Sequence, residues 1–177
     1  MHVQVRPARL ADAAALAAVV TENRDFLAPW EPTRAAASYT EAGQRAELEQ
    51  ALALAEKGSA LPCVILVDGE PVGRANVSDV VRGAFHSAHL GYWVAERVNG
   101  QGVATRAVGD VTRLAFAELG LHRLQAATLV HNLASRKVLA RNGFTEIGRA
   151  SQYLRIAGRW QDHLLHQLID RSWTGSY

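Results

Sequence analysis

A glycine-rich turn is the part of the sequence with the clearest chemical potential. It lies in the segment 91–105, GYWVAERVNGQGVAT, where a strand-like stretch runs into the start of an amphipathic helix. Such a turn exposes backbone N–H groups at the positive end of a helix dipole, where a phosphate or pyrophosphate can bind. Gly100 and Gly102 let the backbone approach a ligand because they lack a Cβ, and Ala104 is also small.

Two common nucleotide-binding motifs do not fit this turn. A dinucleotide fingerprint requires a third glycine, but Thr105 stands at that position. A P-loop requires Gly-Lys followed by Ser or Thr, and the turn has no such ending. Taken alone, the turn fits a ligand site and a plain helix N-terminus equally well.

A second polar segment follows the next predicted strand and favours the ligand site. It covers residues 132–144, NLASRKVLARNGF. Together with the turn at 99–104, NGQGVA, it resembles the acetyl-CoA signature of the GNAT superfamily, whose turn is Gln/Arg-x-x-Gly-x-Gly/Ala. Asn99 departs from that pattern at its first position.

The resemblance extends over most of the chain. The segments 22–32, 76–93 and 153–165 are similar to the corresponding parts of the ribosomal-protein-alanine N-acetyltransferases. This resemblance implies one N-acetyltransferase domain over residues 1–177, which transfers an acetyl group from acetyl-CoA to a primary amine by direct attack in a ternary complex. The implied acceptor is the N-terminal alanine of a ribosomal protein. A small amine or a lysine as acceptor, and a catalytically weak acyl-CoA-binding regulator, stay open as alternatives.

The resemblance also assigns residues to acetyl-CoA. It implies that two strands splay apart, that the pantetheine arm pairs with backbone at the end of the first, and that the pyrophosphate binds the amides of the glycine-rich turn. The implied cofactor-binding residues are Val94, Ala95, Asn99, Gly100, Gln101, Gly102, Val103, Ala104, Thr105, Asn132 and Ser135.

A hydrogen-bond donor is needed for the thiolate leaving group. Many members of the superfamily place a tyrosine four residues after the position of Ser135, but that position is Leu139 here. We therefore predict Ser135 as the donor. The alternative is that Ser135 only helps Asn132 to cap the helix.

The candidates for a general base are His86, His89 and Glu31. The two histidines are three apart on a predicted strand, so they should face opposite sides and only one could line the cleft. The same spacing excludes a two-histidine metal site for this pair and for His163 and His166, and no metal is predicted.

An aromatic segment is predicted to contact the acceptor. Phe26, Trp30 and Glu31 lie in the run DFLAPWE, which prolines prevent from continuing a helix. A hydrophobic plug that packs helices onto the sheet would use the same residue types.

Hydrophobic periodicity places these motifs in an α/β fold. It predicts strands and helices in the order strand 3–7, helices 11–23 and 38–57, strands 61–67, 71–80 and 84–95, helix 102–119, strand 121–130, helix 132–143, and strands 144–156 and 160–170. This order, together with the resemblance, predicts the GNAT fold: a central mixed, largely antiparallel sheet, splayed in the middle, with helices on both faces.

Composition limits the remaining possibilities. The 177 residues suit one domain, and the net charge of +2 comes from scattered lysines and arginines, which does not indicate nucleic-acid binding. The sequence shows neither a signal peptide's apolar core nor a run long enough to cross a membrane, so we expect a cytoplasmic protein, monomeric or homodimeric. Its single cysteine, Cys63, is expected to be a buried, inert thiol.

Overall fold

A seven-stranded sheet forms the centre of the protein in the computed structural model, which describes residues 1–175. Its strands are β1 (Val3–Pro7), β2 (Leu61–Val67), β3 (Glu70–Val81), β4 (Ser87–Val94), β5 (Arg123–Leu129), β6 (Thr145–Ile156) and β7 (Arg159–Ile169). They lie in the order β1-β2-β3-β4-β5-β7-β6, and every neighbouring pair is antiparallel except β4 and β5. The predicted mixed, largely antiparallel sheet is confirmed.

Five α-helices accompany the sheet in the described part of the chain. They are α1 (Ala13–Glu22), α2 (Arg24–Leu27), α3 (Glu41–Glu56), α4 (Val103–Leu119) and α5 (Leu133–Arg141). The short α2 was not predicted, because Pro29 and Pro32, which follow it, suggested an irregular loop. Helix α3 begins at Glu41 rather than near residue 38 because the Thr40 side chain caps it, accepting a hydrogen bond from the Gly43 amide at 3.1 Å.

Strand β2 shows why helices cover both faces of the sheet. Its residues 61–66 are all buried, as expected for a strand that is covered on both sides. Ile65 belongs to the hydrophobic cluster that includes Val111 of α4. Val64, on the opposite face, belongs to the cluster that includes Leu16 of α1 and Leu48 of α3. Helices α1 and α3 therefore pack on one face, and α4 packs on the other.

The sheet is open between β4 and β5. These two parallel strands pair at three positions, from Ser87 with Arg123 to His89 with Gln125. Beyond His89, β4 continues beside β3 as far as Val94, and β5 continues beside β7 as far as Leu129. Each strand is held by its other neighbour, so a slot opens between them.

The β6–β7 hairpin closes over one end of the slot. Its turn is made by Ala157 and Gly158, both with positive φ, at 48° and 78°. The Ala157 amide donates to the Glu31 carbonyl at 3.0 Å, which fastens the turn to the segment after α2. None of the helices described is long and apolar enough to cross a membrane.

Candidate active site

A cavity of about 730 Å³ occupies the slot between β4 and β5. Because side chains alternate along a strand, Gly91 and Trp93 face the side of α1 and α3, whereas Leu90 and Tyr92 face the side of α4. Residues from both sets line the cavity. The cavity therefore passes through the sheet and can receive one ligand from each face.

The glycine-rich turn lies on the α4 side of this cavity. Gly100 and Gly102 have φ of 74° and 82°, a left-handed conformation that favours glycine, and a Cβ at either would project into open space. Gly102 is the N-cap of α4, and its carbonyl accepts the first helical hydrogen bond, from the Arg106 amide at 3.0 Å. The amides of residues 103–105 precede that bond and have no acceptor within the helix. They are available to an anion.

A second cavity of about 280 Å³ adjoins the first at this turn. Gly100, Gly102 and Thr105 line it, together with Lys137 and Arg141 of α5. The two basic residues are four apart and so lie on the same face of their helix. Sequence reasoning missed both, although this spacing beside a glycine-rich turn was a visible signal. Two cations and a helix N-terminus together suit a ligand with several phosphate groups.

The other residues assigned to the cofactor divide into two groups. The larger cavity is lined by Val94, Asn99, Ala104, Asn132 and Ser135. The side chain of Gln101 instead donates to the Arg97 carbonyl at 2.8 Å, and Val103 is fully buried in the core.

The assignment of Ala95 to the pantetheine arm stays a prediction, although its backbone already has partners within the protein. The Ala95 amide donates to the Val72 carbonyl at 2.7 Å, and its carbonyl accepts from the Val98 amide at 3.1 Å. The backbone of Ala95 is thus bonded within the protein, and its side chain is fully buried. Val94, which lines both cavities, stays available.

A pair of hydroxyl groups lines the larger cavity. The Tyr92 hydroxyl is 2.8 Å from Ser135 Oγ, and either oxygen can donate. Helix α5 is capped by Asn132, whose side-chain oxygen accepts from the Ser135 amide at 3.0 Å. The Ser135 hydroxyl is therefore not engaged in capping and is available to a ligand. Burial raises the pKa of Tyr92 to about 12, so its phenol keeps its proton. Tyr92 was missed, although it shares a strand face with Val94.

Two of the three proposed bases lie away from the cavity. His86 precedes β4 at the end remote from Val94, where its ring packs on Trp173 with centroids 5.0 Å apart. His89 lies in the short section of β4 that pairs with both neighbours, opposite Ser78 and Gln125. We expected one of these two side chains to line the cleft, but neither lines the cavity, because the slot opens only beyond His89.

Glu31 does line the cavity, but its carboxylate is already bound. Arg34 donates to it through Nε and Nη2, at 2.5 and 2.7 Å. A second ion pair lies nearby, between Arg74 and Glu47, with 3.5 Å from nitrogen to oxygen. Both members of each pair line the cavity.

The aromatic segment serves packing and lining together. Leu27 is buried at 4% exposure, and it lines the cavity together with Phe26 and Trp30. Trp30 is 40% exposed, and its ring lies 5.6 Å from that of His131. The segment therefore combines core packing with lining of the cavity, and its contact with the acceptor stays a prediction.

Two buried histidines of β7 also lie close to the slot. His163 lines the cavity, with Nδ1 at 2.9 Å from the Gln161 carbonyl oxygen. His166 lies on the opposite face, 3.2 Å from the Thr128 hydroxyl. Residues 1–175 contain no group of three or more His, Cys, Asp or Glu side chains that could hold a metal. Cys63 is buried, which raises its pKa to about 12, so it is an unreactive thiol.

Comparison with known proteins gives consistent similarities. A family model for the GNAT acetyltransferase domain matches residues 2–145. The chain is 38% identical over 165 residues to the ribosomal protein uS5-alanine N-acetyltransferase of Escherichia coli strain K12, covering 92% of this chain and 85% of that relative. It is similar in structure to the ribosomal-protein-S5-alanine acetyltransferase of Vibrio fischeri, with a TM-score of 0.94, 36% identity and coverage of 99% and 97% of the two chains. Mycobacterium smegmatis RimJ in complex with CoA-disulfide is also similar, with a TM-score of 0.91, 36% identity and coverage of 98% and 85%.

Proposed function

This chain belongs to the GNAT acetyltransferase family, and we propose that it acetylates the N-terminal α-amine of a ribosomal protein that begins with alanine. It is an N-acetyltransferase, and acetyl-CoA is its acetyl donor. The observation that carries the proposal is a cavity that crosses the sheet, with an anion-binding turn on one face and paired charges with aromatic side chains on the other. Two substrates can then meet inside the slot, as a ternary complex requires.

The residues on the α4 face fit coenzyme A. The amides at the start of α4, with Lys137 and Arg141 beside them, would hold its phosphates. Gly100 and Gly102 leave open space where side chains would otherwise obstruct the pyrophosphate. Val94 lines the path from this site to the larger cavity. The bound donor supplies an acetyl group activated as a thioester.

Ser135 would act on the leaving group. Its hydroxyl can donate a proton toward the departing sulfur while it accepts a hydrogen bond from the Tyr92 phenol. Tyr92 orients Ser135 and keeps its own proton because of its raised pKa. Asn132 holds the backbone of Ser135 at the start of α5.

The acceptor is proposed to be an α-amine rather than a lysine. An α-amine has a pKa of about 7.7–8.0, so its proton is removed at pH 7 for about 1 kcal/mol. A lysine, with a pKa near 10.4, would cost about 4.6 kcal/mol. The carboxylates that line the cavity, Glu31 and Glu47, are each held in an ion pair with an arginine. This site is therefore better suited to the less basic amine.

A pair of peptides tests this choice. The two peptides share the same sequence, taken from a ribosomal protein N-terminus. One has a free N-terminal alanine and a blocked lysine, and the other has a blocked N-terminal alanine and a free lysine. Incubation with acetyl-CoA, followed by mass spectrometry, is expected to place the acetyl group on the alanine peptide. Faster modification of the lysine peptide would contradict the proposal. Modification of neither, with turnover of a small amine, would assign a small-molecule acceptor instead.

A further inference from the structure

We propose that His163 is the general base that accepts a proton from the acceptor amine, an assignment that rests on the proposed function. His163 is 3% exposed and lines the cavity. It pairs with Leu129, the last residue of β5, and therefore lies beside the open section of the slot. A histidine in this position is close to where the two substrates would meet.

The hydrogen bond of His163 fixes which nitrogen can act. Nδ1 lies 2.9 Å from the Gln161 carbonyl oxygen. A carbonyl oxygen only accepts hydrogen bonds, so Nδ1 must carry a proton. In the neutral ring, Nε2 then has a free lone pair. Nε2 makes no hydrogen bond within residues 1–175, and it is the ring nitrogen available to a ligand in the cavity.

The sheet register places His163 on the acceptor face. Residues paired directly across strands point to the same side of a sheet. His89 of β4 pairs with Gln125 of β5, which pairs with Gln167 of β7, so these three side chains lie on one face. Trp93 is four residues from His89, and His163 is four residues from Gln167. An even spacing along a strand keeps both on that same face. The Tyr92 and Ser135 hydroxyls lie on the opposite face. The proposed base and the proposed proton donor thus lie on opposite sides of the slot.

The charged groups around the cavity leave His163 as the base. Glu31 and Glu47 are paired with Arg34 and Arg74. On β7 itself, Asp162 is paired with Arg149 at 2.6 Å.

Two further rings lie near His163 or line the cavity with it. On β6, the phenol ring of Tyr153 lies 5.7 Å from the His163 ring. His131 also lines the cavity, but it is exposed and stacks on Trp30 at the rim.

The proposed step conserves protons and electrons. The α-ammonium gives a proton to His163 Nε2, and the freed lone pair forms a C–N bond to the thioester carbon. The nitrogen then loses its second proton to solvent as the amide forms. The C–S bond breaks, its electron pair stays on sulfur, and the sulfur takes a proton from the Ser135 hydroxyl. His163 then releases its proton to solvent, and Ser135 regains a proton from solvent.

The test compares two glutamine variants on one strand. His163→Gln is expected to lower kcat for the alanine peptide about 100-fold at pH 7, in line with general-base catalysis, while the Kd for acetyl-CoA stays within about twofold. The deficit should shrink above about pH 8, where the α-amine loses its proton without help. His166→Gln, three residues away on the other face, should keep the wild-type kcat and pH profile.

A second measurement does not depend on turnover. Nitrogen-15 NMR of the histidine rings in the wild-type protein, assigned by loss of a signal in His163→Gln, is expected to show Nδ1 protonated and Nε2 unprotonated. A proton on Nε2 in the neutral ring would overturn the assignment. So would a decrease in kcat of His163→Gln that is below about threefold, or one that is equal at every pH. Acetylation of the lysine peptide alone would refute the proposed acceptor, and the ratio of variant to wild-type turnover on that peptide would still decide the role of His163.

Discussion

At the scale of single residues, the Ser135 hydroxyl and backbone have separate tasks. The amide of Ser135 is bound by Asn132, while the hydroxyl contacts Tyr92. A change that removes only the hydroxyl should therefore leave the helix cap intact. This separation makes the proposed chemical role testable without disturbing α5.

Ser135→Ala is expected to lower kcat at least about 10-fold and to change the KM for acetyl-CoA much less, because the hydroxyl acts mainly in the transition state. Tyr92→Phe, which removes only the phenol hydroxyl that orients Ser135, should have a smaller effect on kcat. Steady-state kinetics on the alanine peptide measures both. If kcat and KM of Ser135→Ala stay within about twofold of wild type, another group protonates the sulfur.

At the scale of elements, the turn before α4 would form the proposed anion site through its backbone. Two left-handed glycines turn the chain so that the first amides of the helix point outward beside the smaller cavity. Gly120 ends the same helix in the same left-handed conformation, with φ of 58°, and lines neither cavity. The two ends of α4 thus offer a matched pair of positions.

Gly102→Val should abolish acetyl-CoA binding in a protein that still folds, since its side chain would enter the open space left for the pyrophosphate. Gly120→Val should cost a similar amount of stability, about 1–3 kcal/mol for a strained backbone, and keep the wild-type affinity. Isothermal titration with acetyl-CoA, alongside thermal unfolding, distinguishes the two. Equal affinities in both folded variants would mean that the phosphates bind elsewhere.

At the scale of the whole molecule, an ion pair joins the first strand to the first helix. Arg6 of β1 donates to both oxygens of Asp12, the residue just before α1, at 2.9 and 2.6 Å. The carboxylate also accepts from the Arg9 amide at 2.7 Å. The hydrogen bond from Arg6 holds the pKa of Asp12 below its usual value, against the opposing effect of burial.

This depressed pKa predicts acid sensitivity. The stabilisation is fully present above the unfolded pKa of about 3.9 and is lost as the pH falls through the lower folded pKa. Asp12→Asn should lower the free energy of unfolding at pH 7 by about 1.5–3 kcal/mol, because it removes a buried charge-assisted bond. Urea unfolding at pH 7 and pH 3 should show the difference narrowing in acid. If the free energies of unfolding of Asp12→Asn and wild type differ by the same amount at both pH values, the lost stability comes from packing rather than from the charge.

Much of the fold could be predicted from the amino-acid sequence. Alternation predicted the strands, and the helical period predicted α1, α3, α4 and α5. The family resemblance pointed to Asn132 and Ser135, which line the slot. Each of these signals is local, since it depends on the covalent spacing of neighbouring residues. The short helix α2 was missed because its surroundings, rich in prolines, obscured four helical residues.

The contacts within the site depended on the tertiary structure. Tyr92 meets Ser135 across 43 positions of sequence, and Lys137 and Arg141 reach the turn only because α5 packs beside α4. Whether a histidine lines the cleft depends on where β4 and β5 separate, which sheet register decides: His86 and His89 lie on the paired side of that point, and His163 lies beside the open section. Spacing along the chain sets which face a side chain takes, but the pairing of distant strands sets what lies opposite it.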